Sequence, residues 1–409
     1  MPRARILTVV AVTVLALAGC SSAPMPTPTP TPSPTPLGDG VLRIGTLFPT
    51  SGTTSFLGAS QIAGVDAAVR AINEAGGVNG EPVEVIHRDS ADAGSEKAEK
   101  SLAELIDKGV DVIIGPSSSV LAQRLLEPAA EAGIPMISPA ATYPQLTDLD
   151  EADLFFRTIP VYDHQGVVLA GLLADRDVET AALVYSDDAL GRALRATFEA
   201  AAADVGLQVF SVPATSSASA DAAAVKEADP DAVVLATPNN GSGTRALITQ
   251  LVSAGYGGDK LWLTSQNLAD YSQSLPGGRL KDANGVLEGA SASGGLQSAL
   301  KREKSGLSRF DYAPEAYDAT ILAALAATIA GDDDPSAIAA SLRDASVGGI
   351  KCASYAECLE VLATQPDIDY DGVSGSVNLD AAGDPERGSY GVYEYGSNNK
   401  PSRKSTVVG

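Results

Sequence analysis

Basic residues are in short supply. Of 409 residues, 28 are Lys or Arg and 51 are Asp or Glu, a formal net charge of −23. Nucleic-acid phosphates are met mainly by Lys and Arg, and attachment to anionic lipid uses basic clusters, so neither kind of partner is expected. Histidine and cysteine are scarcer still, with two and three copies, which leaves little for a zinc site. Only one stretch, at the N-terminus, is apolar enough to meet a membrane. What remains, 44% hydrophobic and 19% charged residues, is the composition of a folded globular chain and not of a disordered one. A single core stops growing at about 250–300 residues, so two lobes are expected.

This apolar run, Ile6 to Leu17, follows Arg3 and Arg5. It is too short for a bilayer core, which needs roughly 20 helical residues, and it fits the apolar region of a secretory signal. It ends in Leu17-Ala18-Gly19-Cys20, which resembles a bacterial lipobox. Residues 1–19 are therefore expected to be a lipoprotein signal peptide and Cys20 the lipidated first residue of the mature chain. An ordinary signal peptide with a chance Cys is the alternative. Seven prolines between Pro24 and Pro36 prevent helix and favour polyproline II, so residues 20–40 read as a stiff tether. The expected location is the outer face of the cell membrane, reached by export and held by the lipid. Cys352 and Cys358 then remain, and in an exported chain a disulfide between them is expected. A redox pair or a metal site is the weaker reading, since no His is near.

Val41 to Phe48 reads as a strand, and Ile62, Val65, Val69 and Ile72 mark a helix stopped by Gly76-Gly77. Strands at Val83 to Ile86, Val110 to Ile114 and Pro135 to Ile137 alternate with helices on Leu102, Leu105 and Ile106 and on Leu121, Leu125 and Leu126. Such alternation means βαβ units around a parallel sheet. The pattern restarts after Phe155-Phe156-Arg157, with strands at Ala181 to Tyr185, Leu207 to Val212, Ala232 to Ala236 and Leu261 to Leu263. Beyond about Leu287 come a long apolar helix, Tyr317 to Ile329, the Cys pair and a strand-like Tyr390 to Tyr395.

The ordered runs IGTLFPTSG (Ile44 to Gly52), AINEAGGVNG (Ala71 to Gly80), IIGPSSS (Ile113 to Ser119), PMISPAAT (Pro135 to Thr142), FFRTIPVYDHQG (Phe155 to Gly166) and YDAT (Tyr317 to Thr320) resemble the leucine/isoleucine/valine-binding protein family. These are type I periplasmic solute-binding proteins of amino-acid and amide ABC transporters. The resemblance covers about Val41 to Tyr395. It implies an α/β, two-lobed fold, each lobe a mainly parallel sheet flanked by helices, with a ligand cleft between lobes joined by three crossings. Lobe one would hold 41–160 plus 289–348, lobe two 163–286 plus 351–397, and 398–409 would be a C-terminal tail. It further implies a small-molecule ligand, an ABC permease as partner, a monomer, no cofactor and no catalysis. A sensor subunit with the same fold, signalling occupancy instead of feeding transport, is the second reading.

Loops after parallel strands gather at the carboxyl edge of the sheet, where α/β proteins bind ligands. Ser117, Ser118 and Ser119 begin a helix there, and the free N–H groups at that end suit a carboxylate. By the resemblance, Ala140, Ala141 and Thr142 bind the backbone of an amino acid, and Asp163 faces the cleft to receive an ammonium group. A helix N-cap before Gln165 is the plainer reading of Asp163. Phe56 stands beside the place of a family aromatic, where Leu57 is found. From lobe two, Tyr185, Asn239 and Gln266 are candidates. The usual Tyr-Gly of its first loop is Leu190-Gly191 here, and Ser265-Gln266-Asn267 carries none of the acid expected after Leu263. Ligand identity is therefore left open between an amino acid, an amide and another small polar molecule.

Other signals are weaker. Asp367-Ile368-Asp369-Tyr370-Asp371-Gly372 spells the start of a calcium loop, but its twelfth position is Asn378 in place of Glu. Gly241-Ser242-Gly243-Thr244 echoes a dinucleotide fingerprint, and Gly289 to Ser293 falls one Gly short of a hydrolase elbow. His87 and His164 read as packing or surface residues.

Overall fold

The computed structural model describes residues 38–239 and 241–409. The expected signal peptide, Cys20 and the tether as far as residue 37 lie outside the described residues. The first lobe opens with β1 (Arg43–Phe48), α1 (Ser55–Glu74), β2 (Glu84–Asp89), α2 (Lys97–Asp107), β3 (Val112–Ile114), α3 (Ser119–Glu131), β4 (Met136–Ser138) and β5 (Phe155–Arg157). Its strands pair in parallel in the order β2-β1-β3-β4-β5. Inner strands such as Val112–Ile114 are short and wholly apolar, because a parallel sheet is covered on both faces.

The second lobe repeats this plan with α4 (Gln165–Ala174), β6 (Thr180–Tyr185), α5 (Ala189–Val205), β7 (Gln208–Pro213), α6 (Ala218–Ala228), β8 (Ala232–Ala236), α7 (Ser242–Ser253), β9 (Leu261–Leu263) and β10 (Asn284–Glu288). These strands are parallel in the order β10-β9-β8-β6-β7. The chain then returns to the first lobe through α8 (Gly294–Glu303), α9 (Ala313–Ala330), α10 (Pro335–Ser341), β11 (Ile350–Cys352), α11 (Tyr355–Leu362), β12 (Ile368–Gly372) and β13 (Gly375–Ser376). Buried residues run round α9, so its sequence has no polar stripe. A Cβ on Gly64 would stand 2.5 Å from the Ala313 carbonyl, so the approach of α1 to the start of α9 depends on that glycine.

Two boundaries expected from the sequence are corrected here. The resemblance places residues 351–397 in the second lobe, but Cys352, Tyr355, Cys358, Ile368, Tyr370 and Leu379 share a core with α1 and α9 in the first. Asp318 of α9 fixes this segment by accepting from Tyr370 Oη (2.8 Å), Val373 N (3.0 Å) and Ser374 N (2.7 Å). Only at β14 (Ser389–Tyr395) does the chain re-enter the second sheet, antiparallel to β10. The supposed tail 398–409 contains β15 (Pro401–Val408), paired antiparallel with β14. The Cys352–Cys358 disulfide is present and joins β11 to α11. Among the described residues no helix is long and apolar enough to cross a membrane.

The segments that cross between lobes, near residues 158–161, 289–292 and 386–388, lie side by side. Gly289 N donates to Ser389 O at 2.8 Å, and a Cβ on Gly388 would meet Pro160 Cδ at 2.6 Å. Glu315, in the first turn of α9, touches two of them. Its backbone carbonyl accepts from Thr158 Oγ1 (2.8 Å) and its carboxylate from Ala290 N (2.5 Å).

Candidate ligand-binding site

In the first lobe, two carboxylates pin the loop after β1. Asp89 accepts from Thr50 N (2.8 Å) and Ser51 Oγ (2.6 Å), and Asp92 from Thr53 N (2.7 Å). Burial pulls the Asp89 carboxyl up, but Lys97, Ser51 and backbone amides outweigh it and hold the group well below the usual carboxylate range. A cavity of about 310 Å³ lies between this loop, Ala91 and Asp92 after β2, and Ser117 and Ser118 at the start of α3.

The three serines have separate partners. Ser117 Oγ donates to Gln61 Oε1 at 2.8 Å. Ser118 is the N-cap of α3, its Oγ accepting from Leu121 N at 3.4 Å. Ser119 is buried away from the cavity, where its Oγ accepts from Thr142 N (3.0 Å) and Tyr143 N (3.2 Å). It therefore ties the Ala140-Ala141-Thr142 loop to α3. Ser138 Oγ holds the same loop through Ala141 N at 2.9 Å. Beneath it lies Arg157, wholly buried, whose Nη1 donates to Tyr143 O (2.9 Å) and Ala141 O (3.4 Å). Arg157 is paired at 2.5 Å with Asp384, also buried. Phe56 does not join this group: it is about half exposed, with the Arg309 guanidinium 4.5 Å from its ring centre, and Leu57 lines the cavity instead.

In the second lobe, Tyr185 ends β6 and is buried, its Oη accepting from Arg195 at 3.1 Å. Asn239 and Gln266 come together after β8 and β9, where Asn239 N donates to Gln266 O at 3.1 Å. Gly191 is required where it stands, since a Cβ there would meet Ser186 O at 1.9 Å.

Asp163 sits at the first crossing. The N-cap position of α4 is His164, with no side-chain bond, so the capping reading of Asp163 fails. Its Oδ1 is buried without a hydrogen-bond partner. Close to this crossing is an acid that sequence reasoning missed. Glu288, the last residue of β10, accepts from Ser265 Oγ at 3.1 Å and from Gln165 Nε2. Gln165 in turn receives Ser265 N at 3.1 Å. The loop after β9 has no acid of its own, yet one reaches it from the neighbouring strand. The available signal was a charged residue closing the apolar run Val286-Leu287. Burial raises the Glu288 carboxyl to about 7 and that of Glu315 to about 8. Tyr390, fully buried, has a hydroxyl without a partner.

The other motifs have structural uses. Asp369 and Asp371 flank Lys351 Nζ at 2.9 and 3.0 Å, on strands and not on a calcium loop. His87 bridges Thr46 (2.8 Å) and Asp66 (3.0 Å). Among the described residues no group of three or more His, Cys, Asp or Glu is placed to hold a metal.

Residues 41–354 match the periplasmic binding protein family. BasB of Halobacterium salinarum, a substrate-binding protein of a chemotactic signal transduction system, is 30% identical over 362 residues, 84% of this chain and 85% of that protein. The leucine-, isoleucine-, valine-, threonine- and alanine-binding protein of Pseudomonas aeruginosa is 30% identical over 170 residues, 41% of this chain and 45% of that one. Among solved structures, an ABC transporter substrate-binding protein of Desulfitobacterium hafniense in complex with Leu has a TM-score of 0.66 at 22% identity, covering 89% of this chain and 100% of that chain. A solute-binding protein of R. palustris in complex with 4-hydroxybenzoate has a TM-score of 0.62 at 19% identity, covering 90% and 97%. Such proteins bind solutes and are not enzymes. Two mainly parallel sheets joined by adjacent crossings, with loops gathered at their carboxyl edges, and a match over most of the length lead to one assignment: the chain belongs to the periplasmic binding protein family.

Proposed function

We propose that this periplasmic solute-binding protein is an exported lipoprotein that captures an amino acid between its lobes and, as a monomer, hands it to an ABC permease. One pairing supports the amino-acid reading: the start of α3, whose N–H groups suit an anion, opens on the first-lobe cavity, and a buried acid, Glu288, reaches the loop after β9 from the next strand. The ligand carboxylate lies at Ser117 and Ser118 and the amides of Ala140 to Thr142, and the Thr142 hydroxyl adds a donor. Its ammonium is received by Glu288 and Asp163. Tyr185, Asn239 and Gln266 close over it from the second lobe. Ser119 serves as a support for the 140–142 loop.

Native mass spectrometry of the purified protein, before and after mild unfolding, tests this. A released mass equal to an amino acid is expected; a compound without an amino group sinks the reading. For the anchor, Cys20→Ala is expected to release the protein from membranes, and a variant that resists a salt wash counts against lipidation. The sensing alternative is favoured by the likeness to BasB over 84% of the chain. Detergent co-purification separates the two: a permease for transport, a transmembrane signalling protein for sensing.

A further inference from the structure

The two lobes share one layout. Strand order reverses between β1 and β3 in the first sheet and between β6 and β8 in the second. By position, β7 corresponds to β2, β8 to β3, α6 to α2 and α7 to α3. Open α/β sheets take ligands at such reversals, outside the carboxyl ends of the strands. The first lobe has its cavity of about 310 Å³ there, and the second has one of about 280 Å³ at the equivalent place, lined by Thr215, Ser216, Asp221, Thr237 and Gly243. Both carboxyl edges look onto the interlobe space. β5 runs into the first crossing, and Thr264 and Ser265, which follow β9, meet that crossing through Tyr162 Oη (3.5 Å) and Gln165 Nε2 (2.7 Å).

One residue lining the second-lobe cavity carries an unmet group. Thr237 is only 8% exposed, and its Oγ1 has no hydrogen-bond partner. Its backbone is held, since Thr237 O accepts from Asn267 Nδ2 at 3.0 Å. A buried hydroxyl left unpaired is costly, and nearly all such groups find a partner. Next to it, Gly243 and Thr244 in the first turn of α7 line the cavity, so the positive end of that helix faces it. On the other wall Asp221 is buried, and its carboxylate accepts from Thr215 Oγ1 (2.6 Å) and Thr215 N (3.1 Å). An anionic group would be repelled by Asp221, and a cationic one by the start of α7. A neutral group that both accepts and donates suits the two walls. A carboxamide does so, with its oxygen toward Thr237 and α7 and its NH₂ toward Asp221.

We propose that this cavity is the side-chain subsite of the cleft and that it selects amino acids ending in a carboxamide. The proposal rests on the amino-acid reading above. It is tested by calorimetry with two near-isosteric pairs, L-asparagine with L-leucine and L-glutamine with L-norleucine, on wild type, Thr237→Val and Thr237→Ser. Because Thr237 Oγ1 makes no bond within the protein, the valine variant keeps every internal hydrogen bond, and an unchanged thermal midpoint verifies its fold. At least one amide is expected to bind wild type about tenfold more tightly than its apolar partner. Thr237→Val should lower the affinity for that amide about tenfold and leave the apolar partner within about twofold, with Thr237→Ser restoring it. If amide and apolar partner bind alike, or the valine variant weakens both or neither, the subsite is wrong and the amino-acid reading stands. If none of the four binds wild type, the subsite is wrong, and native mass spectrometry decides the rest: another amino acid released leaves the amino-acid reading standing, and a compound without an amino group removes both.

Discussion

Arg157→Met is expected to lower the stability of the folded chain by about 3–5 kcal/mol, because it leaves a buried carboxylate without its counter-charge. The Arg157 and Asp384 side chains are 0% and 7% exposed and 2.5 Å apart. Burial raises the Asp384 carboxyl, and Arg157 pulls it back. Without the guanidinium, Asp384 keeps one neutral donor in Thr147 Oγ1 at 2.6 Å and must protonate or draw in water. Removing both charges together is gentler than removing one, so Arg157→Met with Asp384→Leu should recover much of the loss. Urea unfolding of the single and double variants checks this. A single variant within about 1 kcal/mol of wild type would mean that the pair carries little charge coupling. The same variant frees the carbonyls of Ala141 and Tyr143, so ligand affinity should drop with stability while the double variant regains stability alone.

The second large effect is on pH dependence. A Glu in an unfolded chain titrates near 4.5, while burial raises Glu288 to about 7 in the folded protein. Between those values the native state holds a proton that the unfolded state has lost, so this group's contribution to stability falls as pH rises from about 4.5 to 7. Glu288→Gln should remove that slope, seen as the difference between the variant and wild type across the window. The comparison isolates Glu288 from Asp89, whose lowered carboxyl contributes the opposite slope in acid. The neighbouring hydroxyls of Tyr162, Tyr312 and Tyr390 are pushed up by burial and stay neutral throughout, and Glu315, raised to about 8, is present in wild type and variant alike, so its slope drops out of the difference.

For a ligand with an ammonium group the sign reverses. The carboxylate form is the one that binds, so affinity should rise from about pH 6 to 8, with a proton released on binding. Glu288→Gln should flatten this and weaken binding roughly ten- to a hundredfold at pH 8, the worth of a charge-assisted hydrogen bond. Calorimetry in buffers of different ionisation enthalpy measures the proton directly. Affinity of the wild type that does not change with pH would remove Glu288 from the ligand.

The first ten or so elements were legible because each apolar run is short, bounded by Gly or Pro, and separated from the next by a helical period. β14 was legible too, as the strand-like Tyr390 to Tyr395, but β15 was not. β15 is a largely exposed edge strand whose sequence, Pro401 to Val408, has no apolar alternation strong enough to be seen. The lobe boundary after Cys352 was missed because it is set by Asp318 of α9, which gathers Tyr370, Val373 and Ser374 from more than fifty positions away. The site divided in the same manner. The start of α3 announces itself by its serines, a local signal. Glu288 does not, since its partners Ser265 and Gln165 lie 23 and 123 positions earlier and only the order of the sheet brings them together. Ser119 was legible as a residue near the ligand loop but not as its fastening, which needs the direction of its hydroxyl.

The adjacent crossings also decide how far each part of the cleft travels. With Gly289 bonded to Ser389 and Gly388 against Pro160, the lobes share a single fulcrum, and Glu315 is bolted to it at both Thr158 and Ala290. Rotation about a fulcrum displaces a point in proportion to its distance from it. Glu288, one residue from the second crossing, keeps its place in every posture of the lobes, whereas the rims at Thr54 and Thr215 sweep through the longest arcs. On the proposed reading, an ammonium group is received before the jaws move and the side chain is inspected only as they shut. A poorly matched solute would then enter as fast as a good one and leave sooner.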